Sequence, residues 1–118
     1  MADQRWRVRL GAAAEVDFAN ILRWITENFG ARQSRVYRDT LVQAIGELGN
    51  GPNAAGSKTR DDIMAGLRTL HIARSGRRGS HFLMYRAAPD STIEIVRILH
   101  DRVDLQRHVR SAPDESSE

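Results

Sequence analysis

The sequence predicts an α+β domain in which an N-terminal strand and an antiparallel helical hairpin are followed by a three-stranded antiparallel meander. Three observations carry that prediction. Apolar residues alternate with arginines near the N-terminus, recur every three to four residues over about the next three dozen positions, and then return to short β-branched and aromatic runs split by turn residues. The chain has 118 residues, enough for one core and too few for two full domains. The domain is expected over residues 1–110, and "SAPDESSE" (111–118) reads as a frayed acidic tail.

Residues 4–10 place Trp6, Val8 and Leu10 on one side and Arg5, Arg7 and Arg9 on the other, the period of a half-buried strand with an arginine face. From Ala12 the pattern becomes helical, with Phe18, Leu22, Ile25 and Phe29 as the apolar line and Ile21 and Trp24 beside it. Gly30 ends that helix, because glycine takes positive φ without a Cβ clash. A second helix is expected over residues 31–48 along Tyr37, Leu41, Ala44 or Ile45, and Leu48, and so short a joint forces the pair antiparallel. Residues 49–62, rich in Gly, Asn and Pro, read as a loop.

Strands are expected at 66–74, 81–88 and 92–99, separated by "SGRRGS" and "APDS". In the last of them Ile93, Ile95 and Leu99 fall on one face and Val96 and Ile98 on the other, so both faces are covered and the strand belongs inside the sheet. "DLQRHV" adds a short helical turn.

Composition excludes several classes of function. There is no cysteine, hence no disulfide framework and no thiol nucleophile. No stretch has the apolar length of a membrane span or a signal peptide, and the expected location is the cytoplasm. His71, His81, His100 and His108 lack metal-ligand spacing, so neither a metal nor a cofactor is expected. No nucleophile elbow surrounds Ser75 or Ser80. Of 18 basic residues, 17 are arginine, a ratio for which a GC-rich coding sequence is favoured over a surface selected for bidentate contact with phosphate or carboxylate. The excess of basic over acidic residues lies in the second half, where an anionic partner fits and direct contact with nucleic acid is allowed but not required. By strand parity Arg68, Arg74 and Arg86 face together with Leu70, Ile72, Phe82 and Met84. That places them at strand ends or on a phosphate-binding patch, with a solvated face of internal ion pairs as the bland alternative.

"EVDFANILRWITENFG", "RVYRDTL", "GLRTL", "HFLMYR" and "IEIVRILHDRVDLQRHV" together resemble the ParE branch of the RelE/ParE superfamily, the toxins of bacterial type II toxin–antitoxin modules. The resemblance covers residues 5–110 and is most specific at Ile98-Leu99-His100 with Asp104 behind it. It implies a toxin held in a hetero-oligomer by a ParD-like antitoxin and acting on DNA gyrase by binding, without catalysis. The RelE-like alternative is a ribosome-dependent ribonuclease, for which Arg68, Arg86 and His100 are the catalytic candidates. That branch also uses a tyrosine near the chain end, and no tyrosine follows Tyr85 here. Arginine stays protonated and is a poor general base, so His100 would act nearly alone. A non-toxic remnant that only binds antitoxin is a third reading.

On the ParE reading, His100 and Asp104 form a hydrogen-bonded pair that anchors the C-terminal segment. The surface for the target is expected from Arg68, Arg74, Arg86, Arg97, His100, Arg102, Asp104 and Arg107. Ile21, Trp24, Ile25, Tyr37 and Leu41 are more apolar surface than one core absorbs and are expected to form the antitoxin groove.

Overall fold

The computed structural model describes residues 5–74 and 76–102. Strand β1 (Arg7–Leu10) leads through Gly11 into helix α1 (Ala12–Phe29), and helix α2 (Ala31–Glu47) returns beside it. One residue makes the joint. Gly30, at φ 97°, donates its N–H to Thr26 and accepts from Ser34, reversing the chain where a side chain would be strained. Ser34, buried in the hairpin, fastens it by donating to the Leu22 carbonyl at 3.2 Å. A 3₁₀ turn (Leu48–Asn50) follows, then β2 (Lys58–Thr59), β3 (Arg68–His71), β4 (His81–Ala88) and β5 (Thr92–His100).

The five strands form one sheet in the order β1-β5-β4-β3-β2. The predicted meander is β3-β4-β5, antiparallel throughout, and β1 joins it parallel to β5. Two details differ from the sequence reading. The loop at 49–62 contains β2, paired with β3, which two residues are too few to announce by period. The expected strand at 66–74 keeps regular geometry over four residues, because Gly66 takes φ 81° before it and a tight turn from Arg74 N–H to Ile72 O follows it.

Helices cover one face of the sheet, called inner here. Leu41, Ala44 and Leu48 meet Leu70, Ile72, Leu83, Tyr85, Ile93, Ile95 and Ile98 there, all almost fully buried. Tyr85 satisfies its hydroxyl by donating to the Pro52 carbonyl at 2.7 Å. On the outer face Leu67, Met84 and Leu99 form a smaller cluster with Ile63, Phe82 and Val96.

The faces are not those that strict alternation predicts. Register pairs Leu70 with Leu83, so Leu70 and Ile72 share the inner face with Leu83 and Tyr85, not the outer one with Phe82 and Met84. In β5 the pairing jumps from Ile95↔Tyr85 to Arg97↔Met84, leaving Val96 as the extra residue of a bulge. Beyond it the parity inverts, so that Ile98 turns inward with Ile93 and Ile95 while Leu99 turns outward with Val96. As expected for this strand, both faces are covered and it lies inside the sheet.

The bulge lies where β1 has already left the sheet. The last backbone bond on that side runs from Gly11 N–H to Ile95 O. Asp17, in the second turn of α1, takes over: its Oδ2 accepts the Ile98 N–H at 2.9 Å and the Arg97 Nε–H at 2.8 Å, and its Oδ1 accepts from Arg97 Nη2 at 2.9 Å. One carboxylate thus satisfies the bulged edge and ties the first helix to the last strand.

Candidate functional site

Residues of α1 and α2, with the start of β4 and the end of β5, line a groove of about 820 Å³. One wall is apolar: Ile21, Trp24, Ile25 and Phe29 lie at helical spacing on α1. Trp24 and Phe29 are 57% and 64% exposed and pack edge-to-face with ring centres 5.6 Å apart, an unusually open position for two large aromatics. Four of the five residues expected here, Ile21, Trp24, Ile25 and Tyr37, do line this groove. Leu41 does not, because it sits one turn further along α2, fully enclosed in the inner core.

The other end of the groove is polar and was not anticipated. Tyr37 reaches from α2 to the start of β4, where its hydroxyl accepts the Ser80 N–H at 3.0 Å and meets His81 Nδ1 at 2.6 Å. With the Ser80 N–H already received, the pairing that satisfies both groups has the phenol donating to Nδ1, which leaves the His81 proton on Nε2. Burial raises the Tyr37 pKa above 10 and keeps it a donor. His81 and His100 are register partners and stack edge-to-face at 5.2 Å. His100 Nδ1 accepts the Arg102 N–H at 3.1 Å, so its proton also sits on Nε2, and the 3.4 Å approach of Asp101 to Nδ1 is not an ion pair in this tautomer. His71 is held alike: Nδ1 accepts the Ala73 N–H, and Nε2 donates to Asp101 Oδ2 at 2.9 Å.

Burial, helped by the positive charge that His100 can carry, pushes the His81 pKa down to about 4. The unfolded chain takes up that proton near 6.5, so folding stability present above pH 6.5 is lost as pH falls from there to about 4. Thermal unfolding followed from pH 7 to 4 is expected to show this loss, and His81→Gln to flatten it across that window.

The expected target surface is spread over the molecule. Arg97 is taken up by Asp17, and Arg74 donates to Glu47 of α2 at 3.1 Å, beside Arg77 on the same carboxylate. Arg68 donates to Ser57 at 2.8 Å, with its Nε buried and without a partner among the described residues. Arg86 lies on the outer face and pairs with Glu94 at 3.0 Å. Asp104 and Arg107 lie outside the described residues, and with Asp104 the proposed bond to His100.

This spread bears on chemistry. Arg68 pairs with Tyr85 and shares the parity of Leu70, which puts it on the inner side, whereas Arg86 is on the outer side. His100 pairs with His81, five residues along β4 from Arg86, roughly 17 Å at strand rise. These three do not converge on one scissile bond. In these tautomers Nδ1 of His81 and of His100 is engaged, and each ring keeps its Nε2–H as a hydrogen-bond donor. Among the described residues, no three His, Cys, Asp or Glu side chains are grouped to hold a metal ion, and no helix is long and apolar enough to cross a membrane.

Comparison with known proteins gives a consistent answer. Residues 8–105 match the family model described as "ParE toxin of type II toxin-antitoxin system, parDE". Toxin ParE1 of Mycobacterium tuberculosis is 31% identical over 103 residues, which is 87% of this chain and 97% of that protein. Toxin ParE of Escherichia coli is 32% identical over 96 residues, 81% of this chain and 85% of the relative. The fold resembles that in a chromosomal ParDE toxin–antitoxin structure from P. aeruginosa, with a TM-score of 0.66 at 18% identity over 83% of this chain and 98% of the other. It also resembles the RelBE2 toxin–antitoxin complex of Mycobacterium tuberculosis, with a TM-score of 0.55 at 23% identity over 81% and 98%.

Proposed function

From the membership of this chain in the ParE toxin family of type II toxin–antitoxin systems, we propose that it arrests bacterial growth by binding DNA gyrase and that a ParD-like antitoxin neutralises it. The observation that carries binding over catalysis is the separation of Arg68, Arg86 and His100 described above. A ribonuclease needs an acid and a base on either side of one 2′-hydroxyl and its leaving oxygen, and these residues lie on two faces and at two ends of the sheet. Binding needs no such convergence. The proposed gyrase-directed surface is the C-terminal end of the expected set, the exposed His100 with the segment that carries Arg102, Asp104 and Arg107. The chain acts in the cytoplasm through one toxin domain over residues 1–110, followed by the acidic tail 111–118.

The antitoxin occupies the groove. A helix presenting apolar side chains at i, i+3 and i+4 would lay them against Trp24, Phe29 and Ile21, and its polar groups would meet the Nε2–H donors of His81 and His100. Titrating purified, antitoxin-free toxin into a gyrase supercoiling reaction tests the function. Supercoiling is expected to fall with toxin and to return when antitoxin is added at equal molarity. Undiminished supercoiling at a large excess of folded toxin would overturn the gyrase assignment.

A further inference from the structure

The arginine face of β1 takes no part in the groove, and neither the core nor the helices use it. Val8 and Leu10 turn inward to the core, so Arg7 and Arg9 point to the outer face of the sheet, and Arg7 forms no ion pair among the described residues. Arg9 is opposite Glu94 on β5, and Glu94 is opposite Arg86 on β4, which gives a cross-strand row Arg9–Glu94–Arg86. Glu94 Oε1 lies 3.0 Å from Arg86 Nη2 and 3.8 Å from Arg9 Nη2, and the Glu94 side chain is mostly covered (19% exposed) while the two arginines stay open (51% and 61%). Gly11 leaves room for this carboxylate: a Cβ there would stand 3.1 Å from Glu94 Oε2.

One mostly covered acid thus holds two guanidinium groups in place without neutralising both. Arg7, one pleat back, adds a third charge beside the small residues Thr92 and Ala88. The other nearby acid, Asp90, is in the β4–β5 turn and makes no ion pair among the described residues. The outer apolar cluster lies toward the other ends of β4 and β5, so this end of the face is left flat and cationic.

We propose that Arg7, Arg9 and Arg86 contact the phosphodiester backbone of double-stranded DNA. Guanidinium groups spaced by one pleat along β1, about 6.6 Å, and by two strands across the sheet form a two-dimensional array. Such an array suits repeated phosphates on a duplex better than a single carboxylate or phosphate, and the fork of arginine donors matches phosphate oxygens. The inference rests on the gyrase reading, since a toxin bound to that enzyme works beside the DNA it handles. The row would let the toxin touch protein and DNA together.

The test is binding of the full-length, antitoxin-free protein to a fluorescent 25-base-pair duplex over a salt series, with Arg7→Gln/Arg9→Gln against Arg32→Gln/Arg35→Gln on exposed α2 positions as an equal charge change elsewhere. Wild type and the α2 pair are expected to bind with the same steep salt dependence. The β1 pair is expected to bind at least about tenfold more weakly and with a log–log slope shallower by about two, near one for each phosphate that is no longer neutralised. No duplex binding by wild type at low salt, or equal losses in both pairs, would overturn the proposal. So would a β1 pair that keeps its affinity for DNA and loses it for the antitoxin, which would assign the row to a protein partner. Supercoiling assays on the same preparations separate the two claims. DNA binding by the row with unaffected gyrase would sink the gyrase reading alone, and gyrase inhibition that persists with an inert row would sink this one alone.

Discussion

Asp17→Ala is expected to destabilise the protein by about 3 kcal/mol, the largest loss from any single truncation of a polar side chain here. The substitution removes the carboxylate that pairs with the Arg97 guanidinium and the acceptor of the Ile98 N–H in one step. Asp17 is 13% exposed and Arg97 27%, so water replaces the lost bonds only in part. Breaking a buried pair from one side costs roughly 3–5 kcal/mol, and partial exposure places this one at the lower end. Asp17→Asn keeps an oxygen for the Ile98 N–H and loses the ion pair, and is expected to cost about half as much. Urea unfolding of the two variants measures both. A loss under about 1 kcal/mol for the alanine variant would mean that the bulged edge does not depend on Asp17.

Trp24→Ala is expected to weaken antitoxin binding by about 2–4 kcal/mol, roughly 30- to 1,000-fold, while changing the stability of the free toxin by less than about 1 kcal/mol. The asymmetry follows from exposure. Trp24 is more than half open in the free protein and packs edge-to-face on the similarly open Phe29, so its truncation leaves no cavity in the core but strips the groove of its largest apolar surface. Calorimetric titration against the antitoxin gives the first number and thermal unfolding the second. In cells the variant is expected to arrest growth even when antitoxin is co-expressed. Unchanged affinity would place the antitoxin on another face.

Much of this was legible in the chain because burial imposes a period. The apolar lines through Phe18 to Phe29 and through Tyr37 to Leu48 announced both helices, and their surplus of large apolar residues announced the groove. Depth was not legible: nothing in the period distinguishes Tyr37 at the rim from Leu41 in the core, since both lie on the same stripe one turn apart. Register was not legible either. The bulge at Val96 inverts the parity of every residue after it, yet no glycine or proline marks it, and the carboxylate that satisfies its edge, Asp17, stands 81 residues before Ile98. The polar end of the groove stayed hidden for the same reason: Tyr37 and His81 are 44 residues apart, and only the pairing of β4 with β5 brings His100 beside them. Arginines of matching strand parity suggest one patch, but long side chains find carboxylates on whichever element packs above them. Arg74 found Glu47 and Arg97 found Asp17.

On the function proposed above, this toxin acts by binding and does not cut RNA. The most direct test is to express the chain without antitoxin and, during the arrest, to map messenger RNA ends and gyrase-linked DNA breaks in the same cells. Gyrase-linked breaks are expected to accumulate while messages stay intact. New messenger ends at ribosome-occupied codons, with gyrase unaffected, would contradict the proposed function and make His100 the first residue to test as a catalytic group.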